Sequence, residues 1–272
     1  VVDVLTGKVN PAGRLNETVP VRVEDNPSWG NFPSSEHHSR YGEGIFVGYR
    51  GYDLRKLDVV YPLGYGLGYT SFEWSDLAVE LSGSAEQGNL AATVRVKVTS
   101  TGERAGADVV QGYVRDVESA AARPLRELKG FQKVFLEPGA SQLVEVQLDQ
   151  RAFSFWSETV GDWAVEGGAF VIEAARNARD VVLKQSVQVD APVISLALWV
   201  SSSADEWVRN ARAMELLAQR FPGDQGAAPG VFADAALMTV VGNFPMDRLV
   251  FFPGSPFSYA DLVDVAREVN QA

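Results

Sequence analysis

The sequence predicts a mainly β protein: an antiparallel β-sandwich over residues 72–190, with a segment of broken structure before it, residues 1–71, and a small helical region after it, residues 191–272. Three observations carry this reading. Apolar and polar residues alternate in several short runs between turns across the middle of the chain. Prolines and glycines punctuate the first 71 residues too densely for long regular elements. After about residue 191 the apolar period changes from two to that of a helix.

In the first segment, Asn10-Pro11, Pro20, Asn26-Pro27, Phe32-Pro33 and Pro62 break the backbone, and glycines recur from Gly42 to Gly68. Between them stand Trp29, Phe32, Tyr41, Phe46, Tyr49, Tyr52, Tyr65 and Tyr69. A linker with so many rings would cost solubility, so the segment is expected to pack on another surface, one that need not lie in this chain. The chain opens on Val1, and the run Val1, Val2, Val4, Leu5 lacks the basic start and length of a secretory signal. It reads as the last turn of a helix or strand whose remainder lies upstream.

In the middle, Leu90, Ala92, Val94, Val96 and Val98 alternate with Thr93, Arg95, Lys97 and Thr99, which predicts a half-buried strand closed by Ser100-Thr101-Gly102. Further strands are expected at Val109 to Val114, Phe131 to Leu136, Val144 to Leu148, Phe170 to Ala174 and Val181 to Val189. Glu137-Pro138-Gly139 supplies a turn with proline placed to preset φ. Beyond 191, Ser203-Ala204-Asp205-Glu206 has the form of a capping box, and Trp207, Ala211, Met214 and Leu217 continue at helical spacing until Phe221-Pro222-Gly223. A second helix is expected through Phe232, Ala235, Ala236 and Val240, and a third from Ser258 through Leu262, Val265, Ala266 and Val269. The helical region reads as a cap packed on neighbouring structure.

Composition removes several classes of function. With 272 residues, 46% of them apolar, the chain can bury a core, and no apolar run approaches the ~18 residues of a membrane span. The absence of cysteine excludes a disulfide scaffold and a thiolate zinc site. A formal charge of −11 argues against nucleic acid, and the acidity itself reads as solubility. His37 and His38 lie together in the polar loop Ser34 to Ser39, a poor metal cage, and read as solvated loop residues. No metal or organic cofactor is implied by any residue set.

Gly64-Tyr65-Gly66-Leu67-Gly68-Tyr69 has the glycines of a phosphate loop, but no Lys-Ser/Thr follows it and no strand–helix frame encloses it. The glycines read instead as letting backbone pass close to aromatic rings. No Gly-x-Ser-x-Gly elbow is present. Among the acidic residues, Glu43 and Asp53 stand out because rings and Arg50 surround them. A carboxyl so placed could have the raised pKa of a general acid. The rival reading, preferred here, is that Arg50 pairs with one of them and holds the loop.

Residues 7–18, GKVNPAGRLNET, resemble the end of the second domain of glycoside hydrolase family 3 β-glucosidases, and residues 41–50, YGEGIFVGYR, are similar to a segment that follows in that family. Residues 61–72, YPLGYGLGYTSF, resemble the lead into its third domain. Leu125 to Val134, Glu137-Pro138-Gly139, Asp149 to Trp156 and Gly161-Asp162-Trp163 look like its fibronectin type III-like domain. The ordered set covers roughly residues 1–185.

The resemblance implies an immunoglobulin/fibronectin type III-like sandwich over 72–190, preceded by the incomplete end of an α/β sandwich domain. It also implies a parent enzyme that hydrolyses terminal β-linked glucose or related sugars with retention. In the family the nucleophile is an aspartate of an N-terminal barrel, and the acid/base is usually a glutamate earlier in the α/β domain. No residue here matches either motif, so no catalytic, cofactor-binding or metal-ligating residue is expected in this chain. Its partners would be the missing barrel and α/β domains of the same parent chain and, through them, a β-glucoside. The alternative is a stand-alone fibronectin-like carbohydrate-binding or interaction module. For that, Trp156, Trp163, Trp199 and Trp207 are available to stack on sugar rings, although core burial is the more ordinary fate of such side chains.

Overall fold

A computed structural model describes residues 1–119, 121–158, 160–192, 197–222, 232, 235–252 and 255–271. The chain divides into two compact units, residues 1–193 and 194–272.

The first unit begins with a short helix, α1 (Val2–Leu5), a two-residue strand, β1 (Val19–Pro20), a second helix, α2 (Tyr49–Leu54), and a strand, β2 (Val59–Tyr61), that pairs antiparallel with β1. Between them the prolines and glycines leave turns and two short 3-10 helices, Val23–Asp25 and Trp29–Asn31. The strands of the sandwich follow: β3 (Phe72–Ser82), β4 (Ala91–Ser100), β5 (Gly106–Asp116), β6 (Glu127–Leu136), β7 (Ser141–Leu148), β8 (Phe155–Ser157), β9 (Asp162–Ala164), β10 (Gly168–Asn177) and β11 (Asp180–Val189). They form a four-stranded sheet, β11-β10-β5-β6, a three-stranded sheet, β3-β4-β7, and a β8-β9 hairpin, with every pairing antiparallel. This is the expected sandwich, and all six strands read from the sequence are present. The alternation of β4 is realised residue by residue: Ala92, Val94, Val96 and Val98 are buried, and Arg95 bridges Glu80 and Glu145 on the opposite face. Phe153, Phe170, Ile172, Val144, Val146 and Leu148 complete the core between the sheets.

Strand β5 departs from the alternating pattern. All nine residues from Gly106 to Val114 are buried, on both faces of the strand. Val110 and Val114 point into the core between the sheets. Tyr113 lies on the other side, in a small cluster with Ala175, Ala178, Tyr49 and Leu63, so the outer face of this sheet is covered by the first 71 residues. A strand buried on both faces reads as a nearly continuous apolar run, as Val109-Val110-Gln111-Gly112-Tyr113-Val114 does. The first unit therefore has three layers: the covering segment and two sheets.

The second unit is helical: α3 (Ala204–Arg209), α4 (Ala211–Arg220), α5 (Ala235–Val241), α6 (Met246–Leu249) and α7 (Tyr259–Gln271). The capping box at Ser203 is present, with Ser203 and Glu206 each accepting the other's backbone N–H. Ser258 and Asp261 repeat it at the start of α7. Trp207, Leu217, Met246, Leu249 and Leu262 form the core. Asn270 on α7 clamps Leu198, donating to its carbonyl and accepting its N–H, both at 2.9 Å.

One expectation here is corrected. Helical spacing runs unbroken from Trp207 to Leu217, yet the helix stops at Asn210, whose backbone is extended and whose side chain accepts the Ala213 N–H at 2.9 Å. Asparagine gains more as a cap than as a helix interior residue, so two helices form in place of one. Gly223, the expected stop, and the loop at 223–231 lie outside the described residues.

Candidate functional site

The polar chemistry of the first unit gathers where the covering segment meets β5. Asp108 is buried near the start of that strand. Its Oδ1 accepts from Arg14 Nη2 at 2.5 Å and from the Val109 N–H at 2.8 Å, and its Oδ2 accepts from Trp74 Nε1 at 2.9 Å. One carboxylate thus joins the covering segment, β3 and β5. At the other end of β5, Asp116 is bound at 2.8 Å by Arg123, which also donates to the carbonyls of Phe153 and Ser154.

Between these ends, Gln111 Nε2 donates to the carbonyls of Gly64 (3.1 Å) and Arg176 (2.6 Å), and its Oε1 accepts from Tyr113 Oη at 2.9 Å. Burial pushes the Tyr113 phenol up, so it stays a donor. Tyr49 meets Tyr113 edge to face, and its hydroxyl accepts the Leu128 N–H at 2.9 Å.

Gly64 has φ +81°, and a Cβ there would fall 2.1 Å from Gln111 Oε1. A Cβ at Gly66 would meet Arg14 Nη1 at 2.3 Å, and one at Gly68 would sit 3.4 Å from Asn10 Oδ1. The glycines do permit close approach, but to polar side chains and not, as expected, to aromatic rings. The reason is that this loop carries the hydrogen bonds that fasten it to β5.

Glu43 and Asp53 are not brought into chemistry. Glu43 Oε2 accepts from Asn31 Nδ2 at 3.1 Å. Asp53 is held by Arg179 at 2.9 Å; burial raises its pKa and the guanidinium opposes that rise. Arg50 pairs with neither. It binds Glu127 on β6 at 3.0 Å, a carboxylate that Lys129 also reaches at 3.2 Å. The expected partner is thus corrected: α2 carries Arg50 to Glu127 on the sandwich, and in its own loop the side chain reaches only the Ile45 carbonyl, at 3.5 Å. The aspartate of the loop is then left to an arginine of the β10–β11 turn. Burial lowers the pKa of Lys129, with Glu127 opposing, and raises that of Glu173, with Arg126 at 3.0 Å opposing. These ion pairs fasten elements together.

A cleft of about 230 Å³ opens beside Asp108, lined among others by Asn10, Arg14, Gly66, Thr70 and Arg176. Asn10 Nδ2, Arg14 Nε and Thr70 Oγ1 find no partner within the protein. Asp108 is the one carboxylate in the lining, and three donors already occupy it. Retaining glycoside hydrolysis takes two carboxyl groups about 5–5.5 Å apart, and this cleft does not supply them.

His37 and His38 are exposed in a turn closed by Ser35, and among the described residues no group of three His, Asp or Glu is placed to hold a metal. No described helix is long and apolar enough to cross a membrane. Of the four tryptophans available for sugar stacking, Trp207 is core, Trp156 and Trp163 lie half-exposed and opposite each other on β8 and β9, and Trp199 is exposed. Asp108 and Gln111 escaped sequence reasoning, although a lone aspartate within Ala107-Asp108-Val109-Val110 is a signal of a buried, bound carboxylate.

Two family models match the chain. Residues 1–69 match the glycosyl hydrolase family 3 C-terminal domain, and residues 108–178 the fibronectin type III-like domain. The chain is 44% identical over 216 residues to thermostable beta-glucosidase B of Acetivibrio thermocellus, covering 79% of this chain and 28% of that protein. It is 38% identical over 248 residues to the exo-alpha-(1->6)-L-arabinopyranosidase of Bifidobacterium breve, covering 91% of this chain, and so into the helical unit, and 32% of the relative. The crystal structure of the Bifidobacterium adolescentis GH3 beta-glucosidase superposes with a TM-score of 0.71 at 40% identity, over 78% of this chain and 31% of that one. The chain therefore spans less than a third of the length of each of these proteins. Matched in order by the models for both domains, the chain belongs to glycoside hydrolase family 3, as a C-terminal portion of such an enzyme.

Proposed function

We propose that this chain is the bracing part of a β-glucosidase-type retaining hydrolase, with both catalytic carboxyl groups on chain that precedes Val1. One observation carries this. The segment before the sandwich buries a single large apolar side chain, Tyr52, while Leu5, Val21, Trp29, Phe32, Tyr41 and Leu67 are exposed. A segment whose inner side is fixed to β5 and whose outer side is this apolar is shaped to receive further chain. A domain boundary near residue 71 follows on this reading, with the end of the α/β domain laid on the fibronectin-like sandwich and the helical region from 191 as a separate extension. The sandwich holds that end rigid, so that a site built from other domains keeps its geometry. The substrate of the parent is a terminal β-linked glucoside or a related sugar.

The isolated chain is expected to leave an aryl β-glucoside unhydrolysed. Release of the aryl alcohol above a buffer blank, persisting through repurification, would refute the proposal.

A further inference from the structure

The β8–β9 hairpin carries a feature that bracing does not use. Trp156 and Trp163 are direct partners across the two strands, with ring centres 5.5 Å apart and planes at 65°. They remain 50% and 40% exposed. Their exposure is not a consequence of a loose hairpin. On the alternate positions of β8 Ser157 is buried and Phe155 lies half-buried beneath the Arg123 guanidinium, and on β9 Ala164, next to Trp163, is half-buried. The pleat that fixes those residues inward fixes the two indoles outward.

Arg151 completes the arrangement. It lies in a 3-10 turn at Gln150–Ala152, anchored by the buried Ala152 and Phe153, and its guanidinium carbon sits 3.0 Å from the centre of the Trp163 ring. A guanidinium stacked on an indole is held in place and keeps its N–H donors free at the edge. Trp163 is thereby partly covered, and Trp156 is the open ring beside it. Exposed carboxylates at Glu158 and Asp162 flank the two tryptophans in the sequence, and Asp162 Oδ1 accepts the Trp163 N–H at 2.7 Å.

From this geometry we infer that the hairpin is a binding platform for uncharged pyranose sugars, one ring stacking on Trp156 with its hydroxyls on Arg151. The ligand must offer a flat apolar face to a single indole and, at its edge, groups that both donate to carboxylates and accept from a guanidinium. A pyranose ring does both. An apolar protein surface would leave the charged rim unpaired, and a nucleic acid would meet a chain of net charge −11. The inference draws on the family reading only for the choice of a β-glucoside as probe.

Titration of the intact chain with cellopentaose and with laminaripentaose, followed by tryptophan fluorescence, tests it. A saturable change is expected with at least one of them. W156A should weaken binding about tenfold or more, the equivalent of one lost stacking contact. R151A should weaken it less, and W199A should leave it unchanged. Should W156A not fold, R151A still decides the matter, since it removes the hydroxyl partner and leaves the indole. No saturable change with either sugar, or an equal change in W156A and R151A, would overturn the assignment. Failed binding would leave the bracing role standing, because that role is judged by hydrolysis.

Discussion

Replacing Asp108 by alanine is expected to destabilise the first unit by about 3–5 kcal/mol, the range for removing one partner of a buried charged pair. The loss has three parts. The Arg14 guanidinium, mostly buried, loses its counter-charge; the Trp74 indole N–H loses its acceptor within the core; and the first residues of β5 lose the cap on the Val109 N–H. D108N should recover part of this, since its carbonyl oxygen still accepts from Trp74, although the charge that Arg14 needs is gone. Urea unfolding followed by tryptophan fluorescence reads the difference as a lower midpoint at unchanged slope. A shift equivalent to less than about 1 kcal/mol would mean that Asp108 does not join the three elements.

The second large effect is expected in the helical unit. Trp207 is fully buried there, and its indole N–H donates to the Trp199 carbonyl at 3.0 Å. W207A should cost about 3–5 kcal/mol, as for other large-to-small changes at fully buried aromatic sites. A small helical unit has little stability to lose, so a cost of this size brings it near unfolding. The measurement is ellipticity at 222 nm on warming, where the variant should lose its helical signal well before the parent protein. Retention of that signal to the parental temperature would show that the packing around Trp207 is not what holds the helices together.

How much of this was legible in the sequence depends on the range over which each feature is decided. The strands were readable because the pleat imposes its period on neighbouring residues: Ala92, Val94, Val96 and Val98 could be assigned to the core without knowing what they touch. The same holds for the capping box at Ser203. The double burial of β5 was present as an unalternating run, but the layer that covers it comes from residues such as Tyr49 and Leu63, distant in sequence. The partner of Arg50 was misread for the same reason. Glu43 and Asp53 are near in sequence, while Glu127 becomes near only once α2 lies on the sandwich.

Asn210 shows the opposite failure, a local signal overridden in reading by a longer periodicity. The site remains the least legible part. What singles out Trp156 and Arg151 is exposure and stacking, and neither has a sequence period.

The first 71 residues are not a separate flap but a third layer fastened to β5. Amide hydrogen exchange tests it most directly. The Leu15 N–H bonds to the Tyr65 carbonyl and the Gly64 N–H to the Leu15 carbonyl, both at 2.8 Å, within the covering segment; the Ala178 N–H bonds to the Leu63 carbonyl at 2.9 Å, across to the β10–β11 turn. If the three layers open together, these amides exchange as slowly as those of Val110 and Val114 in β5, at the rate of global unfolding. If Leu15 and Gly64 exchange orders of magnitude faster while Val110 and Val114 stay protected, the segment opens by itself and is a flap, not a layer of the sandwich.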